Sequence, residues 1–388
     1  MTDPAAPLSR REFLHRGAGA LALGGLPGLA LPLPRLGQRT RRVIVVAFAG
    51  GVRTKEVLGT PSNVPNLMRI AKAGVTFPNV RCANVGHYGA ALSIFTGNVE
   101  AMGIRDNERG VSPTLFEVLR KEVGLFANDV WLSTASGAQG RLFAHSDHRD
   151  YGAAYAAQVL DGDGIFNVEF QKVLDSLGRP RRDSDQDRAI LDRLGAALDP
   201  RQLGAVTGGK PVDAAELRAV ETFILDELTG NSSRLSGPGA PDAKAIRVAA
   251  NVLRVFKPRV LGITLQSADV AHGSYNAYVE VIRRNDEELG RLWDLVQADP
   301  ELRATTAILV LPEFGRDADL NQRNGLDHGD GSAQMLQVFL VAAGPDFARD
   351  RVVGKEVRTI DVCPTVLSLF TRTKPAHTKA RVLQELFA

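Results

Sequence analysis

Residues 42–51, Arg42-Val43-Ile44-Val45-Val46-Ala47-Phe48-Ala49-Gly50-Gly51, read as a buried strand that breaks sharply at a glycine pair. A run this apolar and β-branched, with one charge at its start, suits a strand covered on both faces. Similar runs recur at Val130-Trp131-Leu132, Val260–Leu265, Thr306–Leu311 and Gln337–Val341. Stretches with helical spacing separate them. Pro65 to Gly74 carries Leu67, Ile70 and Ala71; Ser112-Pro113 opens Leu115, Phe116, Val118 and Leu119; a long one runs from about Tyr275 to Gln297. The alternation predicts an α/β fold, a mostly parallel central sheet with helices on both faces. Sheets of that kind bind ligands beyond the carboxyl ends of their strands.

Residues 150–255 differ in character. Amphipathic helical patterns over 185–198 and 213–228, separated by Gly/Pro/Ser loops, predict a helical insertion or cap within a domain spanning 41–388. His145, His148 and Tyr151 at its start are read as surface groups. Asp286 on the long helix is expected to face solvent or cap a neighbour.

Composition narrows the function classes. With 388 residues, 44% hydrophobic and 23% charged, the chain is neither a disordered tail nor a multi-span membrane protein. Its net charge of +3 (47 − 44) is concentrated at the start, where residues 1–42 hold seven Arg against Asp3 and Glu12. The remainder sits at 3 − 5 = −2, so no basic body is left for nucleic acid. Cys82 and Cys363 allow at most one disulfide, and their spacing gives no reason to assume it.

The start of the chain has its own signature. Ser9-Arg10-Arg11-Glu12-Phe13-Leu14 precedes an apolar run from Gly17 to about Leu33 that contains five Gly and ends in prolines. This resembles a twin-arginine export signal. Residues 1–40 are therefore expected to be a leader that engages the twin-arginine machinery and sends the protein to the periplasm or outside the cell. No clean cleavage site is visible, and an uncleaved leader would act as a membrane tether.

Polar groups able to do chemistry collect where the strand signals stop. Asp269 and His272 follow Leu265; Glu313 and Arg316 follow Leu311, with Asp327 and His328 further along the same Gly-rich loop; Asn84 and His87 precede a helix-like stretch ending in Thr96-Gly97. Imidazole and carboxylate are the ligands that borderline and hard divalent cations prefer.

Several segments resemble the alkaline phosphatase/sulfatase superfamily. Asn63–Phe77 is similar to its first helix and following strand, and Leu92-Ser93-Ile94-Phe95-Thr96-Gly97 to the end of its nucleophile helix. His328-Gly329 followed by Val338–Pro345 resembles its last metal His and the next strand. Thr359-Ile360-Asp361-Val362-Cys363-Pro364-Thr365 resembles its Asp-x-x-Pro-Thr helix start. The pieces occur in the family's order over roughly 42–100 and 258–370. They imply its fold, and a hydrolase of phosphate or sulfate esters using divalent metal.

The resemblance also locates departures. The family's first-strand Asp falls on Ala49, its Asp-His pair on Glu313-Phe314, and its nucleophile on His87; Cys82 lies five residues too early to match a sulfatase nucleophile. Asp269, His272 and His328 match the other metal site. With Gly50-Gly51 and Glu313-Phe314-Gly315-Arg316, they also resemble a narrower, twin-arginine-exported, sulfatase-like group in which Gly-Gly, Asp-x-His, Glu-Phe-Gly-Arg and Asp-His recur.

The expectation is a reduced, one-metal site: Asp269, His272 and His328 hold the ion, with zinc first and calcium, magnesium or manganese as alternatives. Asp327 or Glu313 would complete the shell or orient a ligand His through its second nitrogen. Arg316 is expected as a fork on a substrate oxyanion, and His87 as nucleophile, general base or hydrogen bond to a small anionic ester. The alternative is a catalytically degenerate fold kept as an extracytoplasmic binding or structural partner.

Overall fold

A computed structural model of the chain describes residues 38–101, 108–161, 235–371 and 377–387. The leader residues 1–37, and the helical patterns expected over 185–198 and 213–228, lie outside the described residues. Among the described residues no helix is long and apolar enough to cross a membrane.

Strand β1 (Arg42–Phe48) lies within a nine-stranded sheet. It pairs in parallel with β5 (Val260–Leu265) on one side and β6 (Thr306–Pro312) on the other. Beyond β5 the parallel run continues through β3 (Val130–Thr134) to β4 (Gln158–Asp161). Beyond β6, β7 (Gln337–Ala343) runs antiparallel to both β6 and β2 (Val75–Arg81). Two short strands, β8 (Arg351–Val352) and β9 (Val357–Arg358), pair in parallel with β2 at that edge.

Alternate residues of β1 serve two cores. Val43, Val45 and Ala47 pack with α2 (His87–Thr96), α3 (Leu115–Lys121), α4 (Gly137–Phe143) and α7 (Val362–Ser368). Ile44, Val46 and Phe48 pack with α1 (Pro65–Lys72), α5 (Ala240–Phe256) and α6 (Tyr275–Ala298). Burial on both faces is why β1 carries no polar alternation. Of the segment 150–255, the described ends belong to these layers: β4 extends the sheet and α5 packs on β5 and α6.

Helix α1 opens with Pro65 and has no side-chain cap of its own. Asp286 of α6 supplies one, accepting the backbone N–H groups of Asn66 at 3.0 Å and Leu67 at 2.7 Å. Asp286 thus caps a neighbour instead of facing solvent. Because it is 2% exposed, Asp286→Ala is expected to cost about 2 kcal/mol in urea denaturation, and Asp286→Asn less, since the amide oxygen still accepts.

Candidate active site

Strand register brings the site together. Phe48 lies opposite both Leu265 and Pro312, so β1, β5 and β6 end side by side. The segments that follow, Gly50-Gly51, the 3₁₀ turn Ser267–His272 and Glu313–Arg316, therefore emerge at one place. The N-terminus of α2 delivers His87 to the same spot.

Two of these segments are tied down from outside the site. Asp242 of α5, fully buried, accepts the N–H groups of Gln266 and Ser267 at 2.8 and 3.0 Å, which fixes the entry to the turn. The loop after β6 is stitched to the turn where Leu326 N–H reaches Ala271 O at 2.6 Å and the Asn321 amide reaches His272 O at 3.1 Å. Arg53 holds the same loop from below, donating to the carbonyls of Asp317 and Ala318 at 2.7 and 2.8 Å.

His87, Asp269, His272 and His328 each present one ligand atom, all within 4.8 Å of one another. Asp269 Oδ1 lies 2.9 Å from His87 Nε2 and 3.3 Å from His272 Nε2. The rings of His87 and His272 stand 4.8 and 5.0 Å from that of His328. Two of the imidazoles are oriented by outer carboxylates: His87 Nδ1 meets Glu313 Oε1 at 2.9 Å, and His272 Nδ1 meets Asp327 Oδ1 at 2.6 Å. Glu313 and Asp327 thus each contact the outer nitrogen of an imidazole, and His87 stands beside the three expected ligands as the fourth residue of the cluster.

The charges follow from this packing. Burial pulls the His87 imidazolium down, but the carboxylates of Asp269 and Glu313 outweigh it and raise its pKa to about 9. Burial, together with the positive charge of His87 and Arg316, lowers His328 to about 4, so its imidazole is neutral at pH 7. Asp269 is held well below the usual carboxylate range: burial raises it, and the contacts with His87 and Arg316 more than reverse that. Burial pushes Glu313 up, against the pull of His87.

Arg316 departs from expectation. It is wholly buried, and all five of its N–H donors are spent inside the protein. Nε donates to Gly51 O at 3.3 Å; Nη1 to His272 Nε2 at 3.0 Å and Leu326 O at 3.3 Å; Nη2 to Gly50 O and to Asp269 Oδ1 at 2.6 Å. No donor remains to fork a substrate oxyanion, which corrects that expectation.

The glycine pair lets neighbouring groups come close, Gly51 the guanidinium and Gly50 the turn after β5. Gly51 has φ +69°, and a Cβ there would lie 2.7 Å from Arg316 Nε; a Cβ on Gly50 would lie 2.5 Å from Gln266 O. Gly51→Ala is therefore expected to lower stability by more than about 1 kcal/mol in thermal or urea unfolding, since both the backbone and the arginine resist it.

The donor set fits a divalent ion. His87 Nε2 is buried and makes a close contact but no aligned hydrogen bond, and no described residue hydrogen-bonds the neutral His328 ring. These nitrogens thus lack a hydrogen-bonded partner, and His87 and His272 carry the carboxylate backing typical of metal-binding imidazoles. Remaining candidates lie elsewhere. Tyr151 bonds Glu122 and sits 6.3 Å from the ring of His377, and His148 meets Tyr151 edge-on. Cys82 and Cys363 are buried and free.

The sheet order and the site at its carboxyl edge define a class: this is the alkaline phosphatase fold. Solved structures with the same fold include the wild-type alkaline phosphatase PafA, with TM-score 0.56 and 10% identity over 90% of this chain and 99% of that one. A protein of the alkaline phosphatase superfamily from Vibrio parahaemolyticus gives 0.53 at 12% identity, over 93% and 75%. A 2-O GAG sulfatase gives 0.51 at 12% identity, over 89% and 73%. No family model matches the sequence, and neither does any curated protein.

Proposed function

We propose that the protein is an exported hydrolase of phosphate or sulfate esters that works with a single divalent ion, zinc in the first instance. The observation that carries this is the convergence of His87, Asp269, His272 and His328 within 4.8 Å at the carboxyl edge of the sheet. The fold, shared with a phosphatase and a sulfatase, and the paired arginines of the leader support it.

Asp269, His272 and His328 would hold a divalent ion, which would supply Lewis-acid charge to the ester anion. Everything else comes from the chain. Asp327 keeps a proton on His272 Nδ1, which leaves Nε2 as an acceptor facing the cluster. Glu313 grips His87 Nδ1 and turns Nε2 towards the same space. That is the arrangement of a carboxylate-oriented imidazole able to give or take a proton on a reacting oxygen. Phe314, wholly buried, packs its ring at a tilt against His87 at 4.7 Å and His328 at 5.1 Å.

Elemental analysis of protein folded in its own host, followed by turnover of aryl phosphate, phosphodiester and aryl sulfate substrates, tests the proposal. One divalent ion per chain and hydrolysis of at least one class, lost in His328→Ala, are expected. Metal and anion binding without any turnover would assign the fold to an extracytoplasmic binding protein instead. A metal-free chain inert to all three substrates sinks the proposal.

A further inference from the structure

We propose that Arg316 is a resident cation of the ion site: it competes with the ion for Asp269 and His272 and weakens the affinity for that ion. This rests on the metal-dependent reading above and adds a role for the guanidinium. It also accounts for the Gly-Gly and Glu-Phe-Gly-Arg motifs together.

Three observations carry it. First, the guanidinium is built into the site. It is 0% exposed, and its donors go to Gly50 O, Gly51 O, Leu326 O, Asp269 Oδ1 and His272 Nε2. Three carbonyls and a carboxylate make an oxygen-rich nest of the kind that otherwise encloses a metal, closed here around an organic cation. The positive φ of Gly51 leaves room for it, because a Cβ would strike Nε.

Second, the side chains beside the nest offer an ion little besides Glu313. Ala49 is 2% exposed and apolar, and Phe314 places a wholly buried ring against His87 and His328. Glu313 has Oε1 committed to Gly51 N–H at 3.0 Å and His87 Nδ1 at 2.9 Å, and only its buried Oε2 is without a hydrogen-bond partner.

Third, Arg316 shares atoms with the remaining ion site. Its Nη1 uses the one lone pair of His272 Nε2, and its Nη2 lies 2.6 Å from Asp269 Oδ1. An ion taken up by those residues must displace one N–H and sit beside a fixed positive charge. Arg316 therefore acts as a positioning residue: it attracts an ester anion by charge alone and repels cations.

Titration calorimetry of metal-stripped protein with zinc chloride tests this on wild type, Arg316→Gln and Arg316→Lys, with circular dichroism to establish folding. One site per chain is expected in all three. Arg316→Gln, neutral but still able to donate to the carbonyls, should bind zinc at least about tenfold more tightly than wild type. Arg316→Lys, which keeps the charge, should stay within about threefold. A purely structural arginine predicts the reverse, weaker binding in both variants.

A folded Arg316→Gln that binds no tighter than wild type overturns the inference. Should Arg316→Gln not fold, Arg316→Lys decides: affinity within threefold supports it and a tenfold loss overturns it. The outcomes also separate the two readings. Zinc uptake by Arg316→Gln but not by wild type would sink the metal-dependent function and uphold the resident cation. No uptake by either sinks both.

Discussion

Asp269→Asn is expected to abolish zinc uptake at micromolar concentrations, a loss of more than about 100-fold, and with it any ester hydrolysis. The carboxylate is the one anion that His87, His272 and Arg316 all approach, at 2.9, 3.3 and 2.6 Å. The amide keeps the shape, so the three bases stay gathered, but they are no longer neutralised. Two positive groups, the His87 imidazolium and the Arg316 guanidinium, would then face each other across a neutral residue and repel an incoming dication. The stability cost is smaller. The Asp269 side chain is 49% exposed, and water screens a partner that open, so about 1–2 kcal/mol is expected. Calorimetry and urea denaturation read the two effects separately. An Asp269→Asn protein that still binds zinc as wild type does would show that the carboxylate is not a ligand.

The largest loss of stability is expected from Arg53→Ala, about 3–5 kcal/mol, because it leaves a buried carboxylate unpaired. Arg53 and Glu56 are 3% and 2% exposed and pair through both guanidinium edges. Tyr275 and Tyr278 reach Glu56 only at 3.3 and 3.4 Å, too long to replace the arginine. The damage spreads to the site, since Arg53 also anchors the carbonyls of Asp317 and Ala318, just after Arg316. Zinc affinity should therefore fall along with stability. The double variant Arg53→Met/Glu56→Leu is expected to recover much of the loss, as replacing both ions leaves no orphaned charge. If Arg53→Ala unfolds in urea within about 1 kcal/mol of wild type, the pair is not the clamp described here.

Asp242, Arg53 and Glu56 carry no sequence signal that would single them out. Each is a charged residue on or near a helix, ordinarily a solvated position. Only burial at 0%, 2% and 1% exposure marks them as framework of the site. A charged residue on the apolar stripe of α5, where Asp242 falls among Ala243, Ala245 and Ile246, is the nearest thing to a visible clue.

Periodicity along the chain was enough to establish the alternating strands and helices, the mostly parallel sheet, and the strand ends after which Asp269, His272 and Glu313 stand. Those features are local: a strand buried on both faces must be apolar throughout, and the chain must turn polar where it leaves the sheet. What each polar group does was settled by contacts between distant segments. Glu313 and His87 are 226 positions apart, and Arg316 and Gly50 are 266 apart. Whether Arg316 reaches outward to a substrate or inward to two glycine carbonyls depends on β1 and β6 ending in register. That alignment is a property of the assembled sheet, and no spacing within either segment encodes it.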